Sequence, residues 1–254
     1  MKVQMLSGGG TNNLREHYLT SFTINDELAV DAGALPLSLT RDKQLGIRNI
    51  IITHAHLDHF AGLPLMIDNI FTELDHTIKV FAIEETVHSL HTHIFNNTIW
   101  PDFGSFKNSH GVNLQFVTIQ PRTHFKIAGL KIMAIPVNHT VPSVGLIIEG
   151  DNTAIMISSD TGETEEIWAA AREVKNLRAA FIECSYPNRL SSLGISYGHL
   201  SPQLMLKQVQ KIGRELPVYA YHIKPAHMYE VLEELQQLHP HGISAAEPNK
   251  PYEF

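Results

Sequence analysis

IIITHAHLDHFAG, residues 50–62, sets three histidines and an aspartate into six positions directly after three isoleucines. The β-branched apolar run reads as a buried strand, and the segment from Phe60 onward as an amphipathic helix. On a helix, His54 and His56 would point to roughly opposite sides. On a straight strand, His54, His56 and Asp58 would share a face and His59 would not. A tight loop at the C-terminal end of a strand lets all four turn inward. Strand-end loops are where α/β proteins place ligands.

The residue types point to metal. Imidazole nitrogens and carboxylate oxygens are ordinary zinc ligands, and a tetrahedral ion takes about four. Distant residues must therefore complete the set. PVNHT (His139), SSDTG (Asp160) and AYHIK (His222) each follow an apolar run that reads as a strand. Alone, His139 or His222 would read as an ordinary core or surface histidine. With the HxHxDH stretch they make too many donors for one open catalytic ion and about enough for two ions sharing a carboxylate.

The rest of the chain sets bounds. It has 254 residues, 43% hydrophobic and 18% charged, which suits a globular protein with a real core. A net charge of −7 leaves no electrostatic footprint for nucleic acid. The single cysteine, Cys184, allows no internal disulfide and fits a cytoplasmic location. MKVQMLSGGG lacks the apolar core of a signal peptide, and no apolar run is long enough to suggest a membrane span. Strands are expected at 2–6, 17–24, 27–31, 48–53, 78–83, 113–119, 130–135, 144–149, 153–158, 179–184 and 217–221. Helices are expected at 59–71, 84–95, 164–176, 202–213 and 225–238, with Thr164 and Ser201-Pro202 as helix starts. Residues 95–112 read as an aromatic loop. The expected architecture is α/β, a single domain over 1–254 of two-layered sheets with outer helices.

THAHLDH with His139, Asp160 and His222 resembles the metallo-β-lactamase fold superfamily over essentially the whole chain. HAHLDHFAGLPLMIDN, IFNNTIWPDF, IECSYP and YGHLSP resemble, more narrowly, class II 3′,5′-cyclic nucleotide phosphodiesterases. The typical signature continues with a serine near Asp68-Asn69, where this chain departs. The resemblance implies a four-layer αββα sandwich and a dinuclear zinc site, with Mn²⁺ or Fe²⁺ as alternative ions. His54, His56 and His139 would bind one ion, and Asp58, His59 and His222 the second. Asp160 would bridge them. It further implies hydrolysis of cAMP or cGMP to the 5′-nucleotide by a hydroxide held between the metals. Asp58 would take part in catalysis, and His199 would act as general acid oriented by Glu183. Runner-up activities on the same fold are a tRNase Z-type RNA 3′-processing endonuclease and a thioester or lactam hydrolase. The first would show a Gly/Pro-rich arm and basic stretches, which this sequence lacks.

Other positions have plainer readings. Asp31 in AVDAG is either a turn residue or a hydrogen-bond partner of a ligand histidine. Asn96, Trp100 and Phe103 are candidates for a lid that stacks on a purine. The alternatives for that loop are a fold over its own hydrophobic cluster or a homodimer contact. Cys184 reads as a small buried residue beside the site. His91 and His93, two apart on a helix, cannot face one ion and read as surface or interface residues.

Overall fold

The computed structural model describes residues 1–6, 8 and 18–254. In chain order the strands are β1 (Lys2–Met5), β2 (Phe22–Ile24), β3 (Leu28–Val30), β4 (Asn49–Ile51), β5 (Ile78–Ala82), β6 (Leu114–Thr118), β7 (His124–Ile127), β8 (Leu130–Val137), β9 (Ser143–Glu149), β10 (Ala154–Ile157), β11 (Leu177–Glu183), β12 (Val218–Tyr221), β13 (Ile243–Ala245) and β14 (Pro251–Glu253). The α-helices are α1 (Leu35–Ser38), α2 (Arg41–Gly46), α3 (Leu57–Phe60), α4 (Gly62–Ile70), α5 (Glu84–His93), α6 (Glu166–Glu173), α7 (Ser191–Ser196), α8 (Pro202–Gln210) and α9 (Met228–Gln236). Two compact units result: Met1–Gln120 with Pro248–Glu253, and Pro121–Glu247 with Phe254.

The first unit holds a seven-stranded sheet in the order β14-β1-β2-β3-β4-β5-β6. Its first three pairings are antiparallel and its last three parallel. Parallel strands are covered on both faces and read as unbroken apolar runs. Ile50, Ile51 and Ile52 are accordingly fully buried. Leu63, Met66, Ile67 and Ile70 of α4 join Ile50, Ile52 and Val80 in one core cluster.

The second unit repeats the plan in the order β7-β8-β9-β10-β11-β12-β13. Here too, three antiparallel pairings are followed by three parallel ones. Trp168 and Ile167 of α6 are completely buried, as are Ile155, Met156 and Phe181 of the central strands. β10, β11 and β12 run parallel, and β8 runs with them through the antiparallel β9. The loops after β8, β10, β11 and β12 therefore leave the same edge of this sheet.

Each expected strand overlaps an observed one. In the expected strand 17–24 only Phe22–Ile24 is extended, and position 17 lies outside the described residues. Three strands were not expected. β7 (HFKI) is largely exposed at a sheet edge, and β13 and β14 are three residues long. The expected helix 59–71 starts earlier and divides at Ala61 into α3 and α4. Thr164 does not cap its helix: Glu165 takes the N-cap position, and the Thr164 N–H donates to Gln208 Oε1 at 3.1 Å. Ser201 does stand at the N-cap of α8, with proline in the first turn. No helix among the described residues is long and apolar enough to cross a membrane.

Candidate metal centre

In the first unit the backbone runs extended from β4 to His56, which caps α3 with ψ 143°. His54 and His56 sit on that extended stretch, while Asp58 and His59 sit on the short helix, not on a loop as the sequence suggested. The His54 ring centroid lies 4.8 Å from that of His56 and 4.1 Å from that of His59. Asp58 Oδ2 is 4.0 Å from His59 Nε2. Asp31 organises the group from beneath. Its buried carboxylate accepts from the Thr53 N–H at 2.9 Å, the Thr53 hydroxyl at 3.0 Å and His59 Nδ1 at 2.7 Å. With the hydroxyl proton of Thr53 given to Asp31, its oxygen accepts from His54 Nδ1 at 3.1 Å. Asp31 is thus the partner of a candidate ligand histidine. Asp31 adopts a φ of 58°, a region costly for a non-glycine residue.

In the second unit the loops from one sheet edge bring together His139, Asp160, Glu183, His199 and His222. His139 Nδ1 donates to the Gly198 carbonyl at 3.0 Å, leaving Nε2 4.0 Å from Asp160 Oδ2. His222 Nε2 is 3.4 Å from the same oxygen. Ligand atoms of Asp160, His199 and His222 all lie within 4.8 Å of one another. Ser159 and His222 hold φ values of 57° and 59°, so the turns that aim Asp160 and His222 are both strained; such residues cost about 1–3 kcal/mol each and gather at functional sites. Glu183, fully buried, accepts from His199 Nδ1 at 3.0 Å, Leu200 N at 3.1 Å and Thr161 N at 3.2 Å. Burial pulls the His199 imidazole toward neutrality, but the charge and hydrogen bond of Glu183, helped by Asp160, raise its pKa from the ordinary histidine value. Burial likewise pushes the Cys184 thiol well up, so it stays protonated beside the site.

Across both units a common pattern appears. His54, His59, His139 and His222 each have Nδ1 within hydrogen-bond distance of a protein group. That fixes ring orientation and leaves Nε2 as the coordinating atom, as metal-bound histidines require. Histidine and carboxylate donors so arranged fit a divalent cation. A family profile described as a β-lactamase superfamily domain matches residues 23–228. The chain belongs to this superfamily.

Within the superfamily, the chain is similar to a probable 3′,5′-cyclic-nucleotide phosphodiesterase of Yersinia pestis. They share 29% identity over 246 residues, 84% of this chain and 69% of that protein. It is also similar to 3′,5′-cyclic-nucleotide phosphodiesterase 1 of Saccharomyces cerevisiae, with 30% identity over 193 residues, 66% of this chain and 51% of that protein. The crystal structure of unliganded yeast PDE1 superposes with a TM-score of 0.78 at 21% identity, covering 98% of each chain. Two mixed sheets with flanking helices are the metallo-β-lactamase fold.

The candidate lid residues make their contacts within the first unit. Phe103 is only 4% exposed, its ring against Phe71 and Phe106. Trp100 is half-buried against the same core cluster. Asn96 accepts from the N–H groups of Thr98 and Ile99 at 3.0 and 2.8 Å, stitching the loop to itself. His91 and His93 are exposed on α5. Sequence reading passed over Thr53 and Ser185, both buried and both bonded to site histidines. Their only signal is a hydroxyl residue near a strand end, which is too common to stand out.

Proposed function

We propose that this chain is a metal-dependent phosphodiesterase that opens 3′,5′-cyclic nucleotides to 5′-nucleotides, with residues 1–254 acting as one hydrolase domain. In this reading His54, His56 and His139 would hold one zinc ion, Asp58, His59 and His222 would hold a second, and Asp160 would serve both. Bound there, the ions would supply an activated water and neutralise charge on the phosphoryl oxygens. The protein's own part is proton delivery. His199, with Nδ1 held by Glu183 at 3.0 Å, presents Nε2 as the proton donor to the departing 3′ oxygen. That dyad is the observation that carries the reading, because a basic alkoxide leaving group needs an acid and a stable anion does not. The names of the Yersinia and Saccharomyces relatives support the choice of cyclic nucleotide. Asn96, Trp100 and Phe103 are proposed to shape the approach to the site, Phe103 from within the core.

The test is zinc-loaded protein against cyclic AMP, cyclic GMP, a 2′,3′-cyclic nucleotide, bis-p-nitrophenyl phosphate and a precursor tRNA. Turnover of a 3′,5′-cyclic nucleotide to the 5′-monophosphate is expected to exceed all others. Preferential cleavage of the tRNA would replace this reading with an endonuclease.

A further inference from the structure

Ser185 is fully buried two residues beyond Glu183, at the end of β11. Its Oγ lies 3.1 Å from Glu183 Oε2, 3.0 Å from His222 Nδ1, 3.3 Å from His199 Nδ1 and 3.1 Å from the His222 carbonyl oxygen. A hydroxyl has one proton and two lone pairs. The carboxylate and the carbonyl can only accept, so the proton goes to one of them. The lone pairs remain for ring N–H groups. His222 must then carry its proton on Nδ1 to donate to Ser185, which leaves the bare nitrogen at Nε2, the atom 3.4 Å from Asp160 Oδ2. His199 Nδ1–H is shared between Glu183 and the same hydroxyl. The backbone repeats the link: Cys184 N donates to Tyr221 O at 2.8 Å and Lys224 N to Ser185 O at 3.2 Å. His222 leaves its strand in the left-handed conformation, which turns its carbonyl toward Ser185.

We propose that Ser185 is a positioning residue that fixes His222 as the Nδ1–H tautomer, with Nε2 presented for metal, and ties that ligand to the carboxylate that orients His199. One buried hydroxyl thereby joins the metal-binding and proton-delivering parts of the site. The inference rests on the proposed roles of His222 and His199, but its metal half does not depend on which ester is the substrate.

Two measurements test it. Ring ¹⁵N spectra of metal-free wild-type protein should show His222 as the Nδ1–H tautomer; an Nε2–H ring overturns the proposal without any variant. Ser185→Ala should give a mixture of tautomers and bind zinc roughly 10–100-fold more weakly in chelator competition, the usual loss when a ligand histidine's partner is removed. A purely structural serine would lower the melting temperature and leave zinc affinity and tautomer unchanged, and that result also overturns it. Wild-type protein inert on cyclic nucleotides would sink the substrate reading alone and alter neither readout.

Discussion

At His199 two contacts frame the proposed acid role. Glu183 occupies Nδ1, and the ring lies nearly parallel to His222, centroids 5.5 Å apart. A ribose 3′ oxygen leaves as a strongly basic alkoxide, whereas p-nitrophenolate is a stable anion. Positioned proton transfer contributes roughly 10²–10⁴-fold, so His199→Ala should lower kcat on cyclic AMP by about that factor and on bis-p-nitrophenyl phosphate by less than about tenfold. Zinc content should not change. Equal losses on both esters would remove the acid role. Loss of zinc would make His199 a donor beside Asp160 and His222. The candidate donors were legible in the sequence because histidine or aspartate stands within a few positions of the end of an apolar run four times in one chain, a conjunction that chance seldom repeats. Asp31 was half-legible: its place before Gly33 fits a turn equally well. Thr53 and Ser185 were not legible, because their value lies in which atoms meet across 22 and 37 residues of chain.

At the scale of elements, α3 is held by a close backbone approach. Asp58 O accepts from Thr20 N at 2.9 Å and His59 O from Ala32 N at 2.6 Å. Between them sits Gly33, where a Cβ would come within 2.0 Å of Asp58 O. A side chain there must push the donor-bearing helix away. Gly33→Ala should therefore cost about 1–3 kcal/mol in urea unfolding, the range for overpacked interiors, and weaken zinc binding although Gly33 is no ligand. Gly46 in α2 is the contrast: its nearest neighbour to a Cβ is Asp26 O at 3.7 Å, and alanine there should be neutral or stabilise by up to about 1 kcal/mol. If the two variants behave alike, close packing does not restrain α3. The same element shows where pattern reading ends. Apolar runs announced β4 and α4, but the break at Ala61 comes from tertiary packing that no local periodicity reports. β7 escaped for the opposite reason: an exposed edge strand needs no apolar alternation.

For the whole molecule, the chain carries a formal charge of −7, and metal is what would let it receive an anion. Elemental analysis of protein purified without chelator should give close to two ions per chain. Free zinc at 100 times its dissociation constant should add about 2.7 kcal/mol per site, or roughly 5–10 °C in melting temperature. An unshifted transition would mean that the folded chain holds no such ion. The first sheet has a further property. Its β1 is bracketed by β2 and β14, with Lys2 opposite Glu253 and Gln4 opposite Pro251. On the ribosome, at about 5–20 residues per second, β1 emerges long before β14 can cover that flank, because 245 residues separate Gln4 from Asn249. During that interval it is a bare edge open to stray pairing. Folding yield, more than final stability, should then respond to chaperones and to changes in residues 251–253.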